Sequence, residues 1–203
     1  MIIDMHMHEM RYSGDSFLRL ENMVEIAKRR GLDGICITDH DSMGLKEFAA
    51  EYSEKTGFPI FVGIEFYSLQ GDIVAFGIED YPKERIPAQE FVDLVQAQGG
   101  MCFSAHPFRN NNRGLEENLK IVKGLDGIEV LNGSTLYEAN RKAAEYAAEL
   151  GLATVGSSDC HVPEKLGLYA TYFPREIRSV QELIRSVKRC ETLPVYYKEG
   201  GYY

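Results

Sequence analysis

The sequence predicts an α/β fold with a parallel central sheet. Apolar, strand-like runs alternate with amphipathic helical patterns along most of the 203 residues, and this alternation is typical of parallel strands joined by crossover helices. Several runs are apolar throughout, as expected of parallel strands covered on both faces. We count about seven such strands. Polar residues follow their C-terminal ends, where the loops of a (β/α) barrel converge. We therefore expect one domain over residues 1–203, with the functional site at that end.

The first half of the chain contains four predicted strands and two predicted helices. The first helix spans residues 17–30, because Phe17, Leu20, Val24 and Ala27 follow helical spacing and Gly31 supplies a stop. The second helix spans residues 45–55. The predicted strands cover residues 1–7, 34–38, 60–66 and 72–78.

The second half continues the alternation and ends in a tyrosine-rich tail. Strands are predicted over residues 101–104, 127–131 and 153–157. Helices are predicted over residues 88–98, 115–123, 137–150 and 180–190. The tail, residues 193–203, holds four of the 12 tyrosines. We expect it to pack on the outside of the barrel or to form a contact surface.

Composition limits the classes of partner. The net charge of -9 argues against long nucleic acids and acidic membranes, although bound cations would still allow a small anionic substrate. The four cysteines form no CxxC pair, which is typical of reduced thiols. No signal peptide or membrane-length apolar run is visible. We expect a cytoplasmic protein without a membrane partner; the oligomeric state stays open.

All five histidines lie at turns or at the ends of apolar runs. Side chains two residues apart on a strand share a face, so His6 and His8 point together, as do Asp159 and His161. Imidazole and carboxylate donors without thiolates suit zinc, manganese or iron. The candidate metal ligands are His6, His8, Asp15, His40, Glu65, His106, Asp159 and His161.

Eight ligands are too many for one tetrahedral ion, so two or three ions are expected, with Glu65 as the bridging carboxylate. Other roles stay open for single residues. Asp15 is also a good N-cap for the helix predicted from residue 17, and His40 and His106 also suit turns. Asp4 and Asp39 are expected to orient imidazoles rather than to bind metal.

The motifs resemble those of the PHP (polymerase and histidinol phosphatase) family across almost the whole chain. They are DMHMH at 4–8, SGD at 13–15, ITDHD at 37–41, GIE at 63–65, AHPFR at 105–109 and SSDCH at 157–161. The resemblance implies a distorted (β/α)7 barrel with a trinuclear metal centre at the C-terminal mouth of its strands.

It also implies how the ligands divide. His6 and His8 would share one ion with Glu65 and Asp159, Glu65 and His106 would hold a second, and Asp15, His40 and His161 a third. One position departs from the family: many members have a further histidine in this strand, and here the stretch DIVAFG offers either Asp72 or no ligand at that position. Both two and three ions therefore stay open.

The resemblance implies hydrolysis of phosphoesters, and clustered ions suit that chemistry because they neutralise phosphoryl charge and activate water. A metal-bridging hydroxide is the expected nucleophile, with Asp159 as a proton acceptor and Arg109 as a phosphate clamp. Arg11, Arg113 and Lys165 are weaker clamp candidates. Asn132 and Ser134 are candidates for hydrogen bonds to substrate.

The expected substrate is a small phosphomonoester: a nucleotide, a sugar phosphate, histidinol phosphate or a phosphotyrosine type. Three alternatives stay open. A C–N hydrolase of amidohydrolase type also uses His-x-His, but it would need a metal-bridging lysine at a strand end. A metal-stabilised accessory module and an exonuclease for short oligonucleotides are the others.

Overall fold

The computed structural model describes residues 1–203 as eleven strands and five α-helices. The strands are β1 Ile2–Asp4, β2 Gly34–Ile37, β3 Ile60–Val62, β4 Ile64–Tyr67, β5 Asp72–Phe76, β6 Met101–Ser104, β7 Gly127–Asn132, β8 Ala153–Ser157, β9 Tyr169–Tyr172, β10 Leu193–Lys198 and β11 Gly201–Tyr202. The helices are α1 Leu20–Arg29, α2 Lys46–Thr56, α3 Ala88–Ala97, α4 Tyr137–Leu150 and α5 Val180–Lys188, and a 3-10 turn covers Glu116–Lys120.

The strands form two sheets rather than one closed barrel. One sheet has the order β11-β10-β9-β1-β2-β3 and the other the order β4-β5-β6-β7-β8. The expected parallel pairs occur within β1-β2-β3 and within β6-β7-β8, whereas the remaining pairs are antiparallel. The fold class is thus α/β with parallel strands, as predicted, whereas the closure of these strands into a distorted (β/α)7 barrel stays a prediction.

The sheets approach each other just beyond the ends of their strands. An isolated parallel bridge joins Met7 to Cys160, and another joins His40 to Glu65. Buried apolar side chains from both sheets, including Met5, Phe61 and Phe103, fill the space between them, and α5 contributes Leu183. The bridges therefore bring segments that follow β1, β2 and β8 to one place beside β4.

One predicted strand is two strands in the structure. Residues 60–66 divide into β3 and β4 at Gly63, and the two halves belong to different sheets. A Cβ at Gly63 would lie 2.4 Å from the carbonyl oxygen of Ala75, so the chain passes too close to β5 for any side chain. The break turns Glu65 toward His40.

Two other expectations need correction. Helix α1 begins at Leu20 with Arg19 as its N-cap, so Asp15 does not cap it, and Phe17 is 74% exposed. The tail extends a sheet instead of packing on the outside of a barrel, because β10 pairs with the unpredicted strand β9 and β11 pairs with β10; the expected contact surface stays a prediction. None of the helices is long and apolar enough to cross a membrane.

Candidate metal centre

The segment after β1 delivers two buried histidines to the seam between the sheets. Met5 and Met7 are buried in the core, while His6 and His8 point the other way, with Nε2 atoms 3.1 Å apart. His6 Nδ1 lies 3.2 Å from Glu129 Oε1, and His8 Nδ1 lies 3.2 Å from Ser13 Oγ. Each ring is therefore held at Nδ1, which leaves Nε2 facing the centre.

Glu65 occupies the middle of the cluster and lies near four histidines. Its Oε1 is 2.9 Å from His106 Nε2 and 3.3 Å from His6 Nε2. Its Oε2 is 2.6 Å from His40 Nδ1 and 3.7 Å from His8 Nε2. The two oxygens face different histidines, which is the geometry that a bridging carboxylate requires.

Asp159 closes the cluster from the end of β8. Its Oδ1 lies 3.2 Å from His8 Nε2 and 3.7 Å from His6 Nε2, while Oδ2 accepts hydrogen bonds from Arg109 and from Asn132 Nδ2. Asp159 and His106 have φ of 48° and 27°. Non-glycine residues seldom adopt such angles, and those that do concentrate at functional sites.

A second group of donors lies at the open side of the pocket. Asp15 Oδ2 is 3.3 Å from His40 Nε2 and 3.4 Å from His161 Nε2, and the two Nε2 atoms are themselves 3.4 Å apart. The ring of His8 lies 4.2 Å from each of the other two rings, measured between centroids. The structure thus brings together all eight candidate ligands.

The charges of the cluster favour a bound cation. Burial raises the pKa of Glu65 and of Asp159, but the nearby histidines, His6 first, outweigh it and hold both pKa values well below the usual range. Burial lowers the pKa of His6, yet Asp159, Glu65 and Glu129 raise it well above its usual value. Burial lowers the pKa of His8 to about 4. A proton on His6 partly balances the carboxylates, and a metal ion can replace it.

The donor atoms fit metal ions better than they fit one another. Glu65 Oε2 and His40 Nδ1 are close and buried, but neither has a partner in hydrogen-bond geometry. Four sets of three donors each have ligand atoms within 4.8 Å of one another. These sets are His8, His40 and His161; His6, His106 and Asp159; His6, His8 and Glu65; and Glu65, Asp72 and His106.

Glu129 is a site residue that the sequence analysis missed. It lies on β7, is fully buried, and accepts hydrogen bonds from the backbone N–H of His106 at 2.6 Å, from Asn132 Nδ2 at 2.9 Å and from Ser157 Oγ, besides facing His6. Its only signal in the sequence is an acidic residue within the apolar run GIEVL. It orients two candidate ligands.

The two aspartates expected to orient imidazoles differ. Asp39 accepts a hydrogen bond from Ser13 Oγ at 2.8 Å, and Ser13 contacts His8, so Asp39 acts on that ring indirectly. Asp4 touches no imidazole; it accepts hydrogen bonds from the backbone N–H groups of Ser158 and Gly167. Asp4 therefore fixes the chain around Asp159, which corrects the expectation.

Only two of the four candidate phosphate-binding residues lie at the pocket. Arg109 and Arg113 both line the pocket. Lys165 reaches only Ser134 Oγ, at 3.1 Å. Arg11 lies over the ring of Phe48 and pairs with Glu9 and Glu21, away from the donors.

Arg109 is positioned by the loop after β7. Its NH2 donates to Asn132 Oδ1 at 2.8 Å and its Nε to Thr135 Oγ1 at 3.2 Å, while Ser134 Oγ lies 3.3 Å from the Asp159 carbonyl oxygen. Asn132 and Ser134 thus hold protein groups, which corrects the expectation that they face substrate directly.

The pocket is small and lined by polar and charged residues. Its volume is about 130 Å³, and none of its nine lining residues is hydrophobic. The lining residues are Asp15, His40, Glu65, His106, Arg109, Asn111, Arg113, Asp159 and His161. Two arginines face it and no lysine does, so it lacks the lysine expected of an amidohydrolase.

Known proteins resemble this chain in sequence. Residues 137–192 match the PHP-associated family PHP_C. An uncharacterized protein of Methanocaldococcus jannaschii is 28% identical over 140 residues, which cover 64% of this chain and 80% of that protein. A "probable phosphatase" of Caldicellulosiruptor saccharolyticus is 24% identical over 209 residues, which cover 98% of this chain and 78% of the relative.

Solved structures share the fold. A two-domain protein from Bacteroides vulgatus that contains a predicted PHP-like metal-dependent phosphoesterase has a TM-score of 0.76 at 22% identity. The match covers 97% of this chain, which spans only 64% of that protein. An amidohydrolase from Chromobacterium violaceum, solved with sulfate and no metal, has a TM-score of 0.69 at 20% identity and covers 97% of this chain and 98% of its own.

Proposed function

We propose that the chain is a PHP-domain protein and a metal-dependent phosphoesterase that hydrolyses a small phosphomonoester. The match of residues 137–192 to the PHP-associated family supports this proposal, and the fold agrees with it. One observation carries the proposal: imidazole and carboxylate donors converge in a polar pocket that also contains two arginines. Divalent ions and arginine are the groups that proteins use to bind phosphoryl oxygens.

The donor sets divide the residues that would hold the ions. His6, His8, Glu65 and Asp159 would hold one ion, and Asp15, His40 and His161 another. Zinc, manganese and iron all suit this mixture of nitrogen and oxygen donors. When bound, such ions neutralise phosphoryl charge and lower the pKa of coordinated water.

The remaining steps belong to the chain's own side chains. Arg109, held by Asn132 and Thr135, would turn its guanidinium from Asp159 toward a phosphoryl oxygen. Asp159 is held ionised by His6, His8 and Arg109, so Oδ2 can accept a proton from the attacking water. Glu129 keeps His6 Nδ1 occupied, so that Nε2 stays available to an ion.

The pocket favours a substrate whose phosphoryl group enters and whose leaving group stays outside, because it is small, with a volume of about 130 Å³. Three exposed apolar side chains lie close in sequence to residues of the site: Phe17 follows Asp15, and Leu136 and Tyr137 follow Thr135, which contacts Arg109. Phe17, two residues after Asp15, is 74% exposed, and Leu136 and Tyr137 are 79% and 75% exposed. These positions favour an aromatic leaving group, as in a nucleotide or a phosphotyrosine, over a sugar phosphate.

Phosphate release tests the proposal. The purified protein with Mn²⁺ is incubated with nucleotides, phosphotyrosine, histidinol phosphate, sugar phosphates and an aryl phosphate, beside His6→Ala and the surface variant Glu90→Gln. The expected result is release by the wild type and Glu90→Gln, strongest for aromatic leaving groups, and none by His6→Ala. The absence of release by folded, metal-loaded wild type would overturn the proposal.

C–N hydrolysis is the second candidate, because an amidohydrolase shares the fold across nearly the whole chain. The same protein preparations incubated with cyclic amides and N-acyl substrates distinguish the two. Cleavage there without phosphate release would favour the second candidate.

A further inference from the structure

The geometry points to Arg113 as a built-in cation that takes the place of a metal ion at one corner of the pocket. The corner is formed by Glu65, Asp72 and His106, whose ligand atoms lie within 4.8 Å of one another. All three side chains are at least 98% buried. By donor type and distance alone, this corner is as suitable for an ion as the other three donor sets.

Arg113 already neutralises this corner. Its Nε donates to Asp72 Oδ2 at 2.6 Å and its NH2 to Asp72 Oδ1 at 2.9 Å, so both carboxylate oxygens are engaged by the guanidinium fork. The same NH2 lies 4.0 Å from Glu65 Oε2. A guanidinium remains charged at any working pH, so a divalent ion would have to enter beside a fixed positive charge.

The surrounding chain fixes Arg113 in this position. Its carbonyl oxygen accepts a hydrogen bond from the Asp72 backbone N–H at 2.7 Å, and its guanidinium lies 4.3 Å from the centre of the Tyr67 ring. Tyr67 and Asp72 are themselves partners in the β4–β5 register. The backbone, the carboxylate and the ring therefore hold the side chain from three directions.

Arg109 differs from Arg113 in this respect. It contacts only Oδ2 of Asp159, which leaves Oδ1 facing His6 and His8. The donor sets around Asp159 therefore keep an oxygen free for an ion, whereas Asp72 keeps none free of the guanidinium. We expect the protein to bind its ions at the other donor sets and to exclude one from the Glu65–Asp72–His106 corner.

The inference rests on the proposed metal binding, so the test measures bound metal and not activity. Wild type, Arg113→Met and Arg113→Gln are stripped with chelator, dialysed to equilibrium against excess Mn²⁺, and analysed for ions per chain by mass spectrometry. Arg85→Met is the matched control, because Arg85 stacks on the same Tyr67 ring, at 3.7 Å, and donates to the Ser68 carbonyl oxygen. Circular dichroism establishes that each variant is folded.

Both Arg113 variants should bind one more ion per chain than the wild type, and Arg85→Met should bind the wild-type number. Equal stoichiometry in the wild type and in a folded Arg113 variant would overturn the inference while leaving the proposed function intact. A wild type that binds no ion would overturn the proposed function, and the variants would then still decide the inference by gaining one ion or none.

Discussion

Replacing Glu129 by glutamine should weaken metal binding far more than its small change in shape implies. All four partners of the Glu129 carboxylate are donors: His6 Nδ1, the His106 backbone N–H, Asn132 Nδ2 and Ser157 Oγ. A glutamine amide offers one acceptor oxygen, and its NH2 must face two of these donors. Asn132 cannot turn over to help, because its Oδ1 accepts from Arg109.

The less costly orientation places the NH2 toward His6 and Ser157. The hydroxyl of Ser157 can rotate to accept, but His6 must then present an unprotonated Nδ1, which puts the ring proton on Nε2. That atom faces Glu65 and His8, so the ligand nitrogen is lost. Loss of such an orienting carboxylate costs roughly 10–100-fold in metal affinity. Loss of one buried charged hydrogen bond costs about 2 kcal/mol of stability, or roughly 6 °C in melting temperature.

Two measurements check these magnitudes. Isothermal titration with Mn²⁺ gives the affinity, and thermal unfolding of the chelated protein gives the stability. Glu90→Gln serves as the control, because Glu90 is exposed on α3 and its substitution makes the same chemical change away from the site. Wild-type affinity in a folded Glu129→Gln variant would show that the charge and the two acceptor oxygens of Glu129 do not orient His6.

Three further expectations follow from the same contacts. Arg109→Lys should raise KM for a phosphomonoester by roughly tenfold, because the planar fork is lost; an unchanged KM would exclude Arg109 as the clamp. Gly63→Ala should lower the free energy of unfolding by about 1–3 kcal/mol, because its Cβ would lie 2.4 Å from the Ala75 carbonyl oxygen; urea denaturation at the wild-type midpoint would contradict this. Mn²⁺ affinity should rise with pH above 6.5, and binding should release a proton, because the raised pKa of His6 keeps that ring protonated until an ion displaces the proton. Calorimetry in two buffers of different ionisation enthalpy measures the number of protons released. Binding without proton release would contradict the raised pKa of His6.

The raised pKa of His6 also determines how the stability of the metal-free protein depends on pH. Its folded-state pKa lies above the ordinary 6.5, so the stabilisation by its carboxylate neighbours is complete below 6.5 and is lost as pH rises through the raised value. The chelated protein should therefore become less stable over the pH range in which metal binding becomes stronger.

Much of the site follows from local sequence rules. Strand periodicity places His6 with His8 and Asp159 with His161, and the structure keeps both pairs on one side of the seam. Strand–helix alternation gives the parallel segments β1-β2-β3 and β6-β7-β8. In each case the information lies within a few residues of chain.

The rest depends on contacts between distant segments. The division at Gly63 follows from the approach of β5, a contact that no local pattern records. Glu129 and His6 are 123 residues apart, and Arg113 and Asp72 are 41 residues apart. Local sequence therefore does not predict that Glu129, an acidic residue in an apolar strand, orients His6, or that Arg113, from a polar loop, occupies a corner of the pocket.

Metal dependence is tested most directly by titrating metal back into the stripped protein while bound Mn²⁺ and phosphate release from an aryl phosphate are both measured. We expect no release without metal, release that rises with the number of bound ions, and neither full binding nor release in His6→Ala. Hydrolysis that persists in the stripped protein, or no hydrolysis when the donor sets are fully loaded, would exclude a metal-dependent phosphoesterase.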